Sequence, residues 1–390
     1  MKYPLATNSW GEEEIQAIHD IIASGRYTMG PNVKKFEKEF SNYFNANNAV
    51  MVNSGSSANL LIIATLAEKY KLKGNIIVPA VSWSTTFFPL HQYNFEMNFV
   101  DVDIDTLNMD PNKVEKAINN ETCAIFPVNL LGNSCNYIEI KEIAKKNNLL
   151  LIEDNCESLG AISDTGEFCG SIGEFGSFSF FFSHHLQTME GGMILCKSKD
   201  DADFIKSMRA HGWCRDLDDK NNIYKKTGDN FKDSFTFITP GYSVRPLEMS
   251  GAIGSVQLRK WAELREGRLN NAKYFNEKFQ DLPVKIQKEV GESTWFGFSI
   301  ILEGKLINRR DELVKVLNSN QIECRPIVAG NFMLNPVIKN HNIKYISNGN
   351  YENTNNIHNN GIFFGNDSKD LKENIDLLYT VIRNMAVENS

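Results

Sequence analysis

Two adjacent histidines, His184 and His185, follow the apolar run FSFFF (178–182) and precede the pair Gly191-Gly192. An imidazole takes or gives a proton near neutral pH, so a histidine at the exit of a buried strand is a candidate acid or base. A structural histidine is the alternative. A second chemical segment is Leu151-Ile152-Glu153-Asp154-Asn155-Cys156-Glu157, which sets acids at the end of an apolar run. Ligands of α/β sheets gather at the C-terminal ends of strands. An Asp there ionises when it faces a cation, such as a protonated pyridine nitrogen, or else it caps a helix. The third is Asn53-Ser54-Gly55-Ser56-Ser57-Ala58-Asn59, just ahead of a helical pattern. Small residues let backbone approach an anion, and free N–H groups at a helix start favour phosphate. An N-capping turn explains the same residues.

The elements that would position these segments alternate. Apolar residues recur at helical spacing in 11–25, 33–45, 57–70 and 84–93. Between and after them come short apolar runs at 75–80, 97–102, 123–128, 149–154, 178–182 and 192–196. Several are apolar without alternation, as in strands covered on both faces. Strands alternating with helices predict an α/β fold with a mainly parallel sheet. A long helical stretch near 247–280 breaks the pattern. A smaller C-terminal α/β unit follows, ending in a helix over 369–386. The expected division is a large unit, 1–255, and a small one, 256–390. Polar segment 216–233 reads as a long loop, and the Asn-rich stretch 340–360 as a surface loop.

At 390 residues the chain is too long for one compact core. Its net charge of −7, with no basic stripe, argues against nucleic acid as a partner. No apolar run reaches the length of a membrane span. The opening MKYPLATNSWGEEE lacks a basic region followed by an apolar stretch, so no signal peptide is expected. Seven cysteines without CxxC pairs suit free thiols in a reducing, cytoplasmic setting.

Together with Thr28-Met29-Gly30-Pro31 and Pro240-Gly241-Tyr242-Ser243-Val244-Arg245-Pro246, the three segments resemble the DegT/DnrJ/EryC1/StrS sugar aminotransferases. The resemblance runs nearly end to end. It implies the aspartate-aminotransferase architecture, PLP-dependent transferase fold type I. It further implies that Ser56, Ser57 and Ser179 hold the phosphate of pyridoxal 5′-phosphate (PLP). Asp154 would pair with the pyridine nitrogen, Glu157 would lie near the ring hydroxyl, and Trp83 would stack on the ring. Family aminotransferases carry asparagine where this chain has Ser243, a residue reaching the cofactor phosphate of the neighbouring subunit. A homodimer with shared active sites is therefore expected, with the shorter serine a weaker contact.

The decisive departure is at His184. The family has lysine there, five residues after the serine matching Ser179, and no lysine occurs between Lys146 and Lys197. Imidazole has no primary amine and cannot form the Schiff base to the cofactor. With SHH…MEGG, this points to a smaller branch, the sugar 3-dehydratases. The segments VSWSTT, VNLLGN, EDNCES, RAHGW, VRPLEMSGAIG and WFGF extend the likeness. The branch implies pyridoxamine phosphate (PMP), a GDP-4-keto-6-deoxy sugar, loss of its C3 hydroxyl, and L-glutamate to recharge the cofactor. Its setting would be dideoxysugar synthesis for surface polysaccharide. A sugar aminotransferase and an inactive binding protein are the rival readings. On the substrate side stand Met29, Gly30, His211, Arg215, Arg245 and Arg325, the last two being cations suited to carboxylate or diphosphate. One iron–sulfur relative in the branch has four cysteine ligands. Cys156 and Cys214 match two of them, but Asp216 and Tyr224 stand at the others, so no cluster and no metal is expected.

Overall fold

A computed structural model describes residues 1–387. The chain opens with helices α1 (Glu12–Ser24) and α2 (Pro31–Tyr43). Three glutamates in the first turn of α1 face its positive end, and Pro31 starts α2 where no N–H is needed. Strand β1 (Asn48–Val52) then feeds α3 (Gly55–Glu68), whose N-cap Ser54 accepts from the Ser57 N–H at 3.1 Å. The alternation continues through β2 (Asn75–Pro79), α4 (Ser84–Gln92), β3 (Glu96–Val100), α5 (Pro111–Ala117), β4 (Thr122–Ile125), α6 (Tyr137–Lys146) and β5 (Leu150–Asp154). Next come β6 (Phe175–Ser179), β7 (Gly192–Cys196), α7 (Lys199–Arg209) and the short α8 (Asn230–Asp233). The long α9 (Glu248–Lys278) leads to β8 (Val284–Ile286), β9 (Gly297–Leu302), α10 (Arg310–Ser319), α11 (Pro336–Asn340), β10 (Tyr345–Ser347), α12 (Glu352–Asn360), β11 (Gly361–Gly365) and α13 (Lys372–Val387).

The main sheet has eight strands in the order β1-β7-β6-β5-β4-β2-β3-β10. All neighbours are parallel except β7, which runs antiparallel to β1 and β6. Every residue of β2, β6 and β7 is buried, as the unbroken apolar runs require of strands covered on both faces. A second, antiparallel sheet, β11-β9-β8, packs on α13 and the end of α9 through Phe275, Phe298, Ile300, Leu378 and Ile382.

The expected division at 255 falls inside α9, which runs unbroken from one unit to the other. Its first half packs on α2, and its second half adds Ala272 and Phe275 to the small core. The chain also crosses back: Tyr3 lies in the small core, whereas β10 joins the edge of the main sheet. Two expectations are corrected. The strand placed at 178–182 is Phe175–Ser179, because pairing with β5 and β7 ends at Ser179 and the chain then leaves the sheet, with Phe181 and Phe182 exposed. The Asn-rich stretch is not a plain loop. Asn348 donates to Asn98 and Phe99, and Thr354 and Ile357 are buried, so it forms β10 and α12. The long loop at 216–233 ends in α8, with Asp233 accepting from Thr227 and Gly228. No described helix is long and apolar enough to cross a membrane.

The α2–α9 contact depends on glycine. A Cβ on Gly251 would lie 2.7 Å from the Val33 backbone nitrogen, and one on Gly254 2.5 Å from the Phe36 ring. Backbone yields less than a side chain, so Gly251→Ala should destabilise by about 1–3 kcal/mol, read as a lower urea midpoint at unchanged slope.

Candidate active site

A cavity of about 350 Å³ opens where β5 and β6 end and α3 begins. Asp154, the last residue of β5, is 4% exposed. Its Oδ2 accepts from Asn59 Nδ2 of α3 and Thr86 Oγ1 of α4, both at 2.8 Å. Its Oδ1 accepts from the Cys156 N–H at 3.1 Å and keeps capacity for a further donor from the cavity. The floor is tight. A Cβ on Gly55 would sit 2.6 Å from Ser179 Cβ and 2.8 Å from Cys156 Sγ, and one on Gly192 2.4 Å from the Ser54 carbonyl carbon. These glycines let the start of α3 lie against the ends of β5 and β6, with Ser56 and Ser179 on the wall. Ser57 does not line the cavity. Its hydroxyl accepts from Ser54, and its N–H donates to Ser54.

His184 lies in the loop after β6, closed by Phe180 N to Gly191 O at 2.9 Å and Thr188 N to Phe180 O at 3.0 Å. Its Nδ1 is 3.1 Å from the carbonyl oxygen of Cys156. A carbonyl only accepts, so Nδ1 carries the proton and Nε2 keeps a lone pair. The ring lines the cavity, 5.1 Å from the ring of Phe296 and 5.9 Å from that of Phe181. Burial, then the guanidiniums of Arg325 and Arg268, press its pKa down to about 3. The imidazole is thus held neutral across the physiological range. His185 points the other way. It is 2% exposed, against Trp261 and Phe296, with Nε2 3.4 Å from the Thr294 carbonyl and Nδ1 without a partner.

Glu157 and Arg325 both line the cavity and pair at 3.9 Å. Glu157 Oε2 accepts from the Leu131 N–H at 3.2 Å, a donor aimed by left-handed backbone at Leu131 (φ +56). Burial raises the Glu157 carboxyl, while Arg325 opposes the shift. Arg325 lies over the ring of Phe363, with its Nε buried and unpartnered. It is the one lysine or arginine among the described residues lining this cavity. Trp83, at the N-cap of α4, also lines the cavity and is 56% exposed.

Residues 8–376 match the DegT/DnrJ/EryC1/StrS aminotransferase family. The chain belongs to that family. It is 46% identical over 389 residues to the GDP-4-keto-6-deoxy-D-mannose 3-dehydratase of Escherichia coli O55:H7, covering 98% of this chain and all of the relative. Two crystal structures of GDP-4-keto-6-deoxymannose-3-dehydratase are also 46% identical and superpose with a TM-score of 0.94, covering 97% of this chain and 100% of theirs. One is a histidine-to-asparagine mutant with bound GDP-perosamine. The other holds a trapped PLP–glutamate geminal diamine. The fold is the PLP-dependent transferase type expected from the sequence.

Of the residues that family resemblance singles out, one chain brings Ser56, Trp83, Asp154, Glu157, Ser179, His184 and Arg325 to the cavity. It does not bring Ser243, His211, Arg215 or Arg245. These form a separate group around Trp213, with Arg215 3.8 Å and Arg245 5.7 Å from its ring and His211 4.6 Å away. The exposed Ser243 accepts from Arg245 at 3.4 Å. Met29 and Gly30 line another cavity, beside Lys34 and Arg209. Cys214 is buried, its thiol donating to the Asp233 carbonyl, and Asp216 lies 3.6 Å from Arg215. Sequence reasoning gave no role to Cys156, Glu190, Phe296 or Val328, all on the wall. Phe296 stands in the quoted WFGF, but an apolar ring carries no chemical signal of its own.

Burial, then Arg268 and His184, holds His185 well below its ordinary pKa. The unfolded residue titrates near pH ~6.5, so its contribution to stability is complete above that pH and is lost as pH falls below it. His185→Leu should flatten the decline of stability between about pH 6.5 and 5, by up to ~1.4 kcal/mol per pH unit. Urea midpoints of both proteins across that range check this, and turnover should survive.

Proposed function

We propose that the protein is a PLP/PMP-dependent 3-dehydratase that removes the C3 hydroxyl of a GDP-4-keto-6-deoxy sugar, mannose or a related heptose. The observation that carries this reading is His184, a neutral imidazole with its Nε2 lone pair free, standing in a cavity whose described lining has no lysine. The 46% identity to GDP-4-keto-6-deoxy-D-mannose 3-dehydratase supports the choice of substrate.

The cavity fits the cofactor. The first turn of α3, with Ser56 and Ser179, offers N–H and hydroxyl donors to a phosphate in a space that Gly55 keeps open. Asp154 would accept through Oδ1 from a protonated pyridine nitrogen, Trp83 would offer a ring face, and Glu157 would take the side of the ring hydroxyl, all three lining the cavity. When bound, PMP supplies a primary amine for the sugar's C4 ketone and a ring that accepts an electron pair.

His184 Nε2 removes the proton from the C4′ carbon of the cofactor and delivers it to the C3 oxygen of the sugar, which leaves as water. Asp154 holds the pyridine nitrogen protonated, so that the ring stays electron-poor. Arg325 binds a carboxylate of glutamate, the amino donor. The whole sequence balances: keto sugar and glutamate give 3-deoxy-4-keto sugar, 2-oxoglutarate and ammonia. An aminotransferase would need a primary amine at position 184.

We place Ser243, His211, Arg215 and Arg245 in the partner's active site of a homodimer, since their own cavity is out of reach. Met29 and Gly30 belong to the same substrate side. The seven cysteines are all free, which suits a reducing cytoplasm. The dideoxy product suits surface-polysaccharide synthesis.

Incubating the protein with PLP, glutamate and GDP-4-keto-6-deoxymannose tests the reading by mass spectrometry. A 3-deoxy product with ammonia supports it, while an amino sugar or no turnover refutes it. His184→Asn should keep the fold and the cofactor yet lose elimination by about two to four orders of magnitude. Arg325→Gln should raise KM for glutamate about tenfold or more, as loss of a charge-assisted bond predicts. Single-turnover elimination from PMP-loaded enzyme should fall far less than it does in His184→Asn.

A further inference from the structure

We infer that Phe296 is a positioning residue for His184, and that Phe363 links the pair to Arg325. This rests on His184 being the base. The bond from Nδ1 to the Cys156 carbonyl anchors one corner of the imidazole but leaves the ring free to pivot about it. Phe181 is a loose wall, 44% exposed. Phe296 is 6% exposed, and its ring lies 5.1 Å from that of His184 at 40° and 5.5 Å from that of His185.

Phe296 is itself held on both sides of its backbone. Its N–H donates to the Leu131 carbonyl at 2.9 Å, and its carbonyl accepts from Arg268 at 3.3 Å. The neighbouring Trp295 has φ +45, and Leu131 has φ +56. Two bulky residues in left-handed backbone meet at this hydrogen bond. Such strain persists only where the surroundings over-determine it. The Leu131 N–H reaches Glu157, so the same clasp serves both Glu157 and His184.

Beyond Phe296 the contact continues. Its ring is 6.0 Å from that of Phe363, which lies 4.4 Å below the Arg325 guanidinium. A Cβ on Gly297 would fall 2.2 Å from Phe363 Cζ, so this glycine permits the approach. Arg325 and Phe363 are also joined by backbone bonds of 2.8 and 3.1 Å. An unbroken column, His184–Phe296–Phe363–Arg325, therefore runs from the base to the cation of the same cavity.

The test compares holoenzyme variants after wild-type elimination has been measured, which separates a wrong reaction from a wrong positioning residue. Phe296→Leu should lower kcat for elimination about 100-fold, the scale of a misplaced reacting group. KM for the nucleotide sugar and affinity for the cofactor should hold. The acid limb of kcat should move to higher pH, since the imidazole loses an apolar face. Arg325 and Arg268, His185, and the acids Asp154, Glu157 and Glu190 around it stay unchanged. Phe296→Tyr, which keeps the ring, should restore most of the rate. Wild-type kcat and pH profile in Phe296→Leu would overturn the assignment, as would a Tyr variant no faster than Leu. If Phe296→Leu does not fold, Phe296→Met keeps the volume without the ring and is held to the same outcomes.

Discussion

Cys156 is gripped at both ends of its backbone. Its N–H donates to Asp154 Oδ1, and its carbonyl accepts from His184 Nδ1, each at 3.1 Å. One residue of main chain thereby links Asp154 to His184 and sets their distance and relative aim. No rotamer change in the Cys156 side chain can disturb that link. The rest of the site keeps the two ends still. Asn59 and Thr86 hold the other oxygen of Asp154, and the closed loop from Phe180 to Gly191 holds His184. Burial and the neighbouring Asp154 push the Cys156 thiol well above its ordinary pKa, so its sulfur is a poor nucleophile and its backbone is what matters.

The cavity lies on the seam between the main sheet and the surroundings of the second sheet. The main sheet supplies its strand ends, and the other side supplies Phe296, just before β9, Arg325, bridged to Phe363 of β11, and Val328. Backbone at the seam is strained: Leu131, Trp295 and Val328 all have positive φ. For a β-branched residue such as Val328 this is an outlier, and each such residue costs about 1–3 kcal/mol. Leu131, Phe296, Val328 and Phe363 belong to one buried cluster that spans the seam, and its burial offsets the strain. The strained backbone of the seam is thus held by packing where it borders His184 and Glu157.

Much of this was legible in the sequence. Unbroken apolar runs marked the buried strands because a sheet covered on both faces leaves no polar side. Asp154 could be placed at a strand end, and the gap in lysines between 146 and 197 exposed the change at His184. Other features were not legible. FSFFF reads as strand throughout, and only the pairing of Ser179 with Gly192 shows where the sheet stops. Asparagines at 348 and 353 look like loop residues until their partners, Phe99 and Val102, are known. The role of Cys156 is written in its backbone, on which sequence is silent. Ser57 and Ser56 are chemically identical neighbours, and only the turn of α3 decides which of them faces the cavity.

Replacing lysine by histidine changes more than the ability to form a covalent bond. A lysine carries its nitrogen on a flexible four-carbon stem and can follow a reacting centre. His184 has a short stem, a ring anchored through Nδ1 and one free lone pair. In the proposed elimination that lone pair needs to serve only two places, the cofactor carbon that loses a proton and the sugar oxygen that gains it. The wall acts in the same direction as the substitution. Burial, then Arg325 and Arg268, removes positive charge from the imidazole and would lower an amine in the same place. Neutrality suits a ring that must begin by accepting a proton. Once protonated, the ring sits in surroundings that disfavour its charge, which drives the proton onward to a departing hydroxyl. The same depression weakens the imidazole as a base, so in the proposed elimination the electron-poor ring has to acidify the carbon proton before His184 can take it.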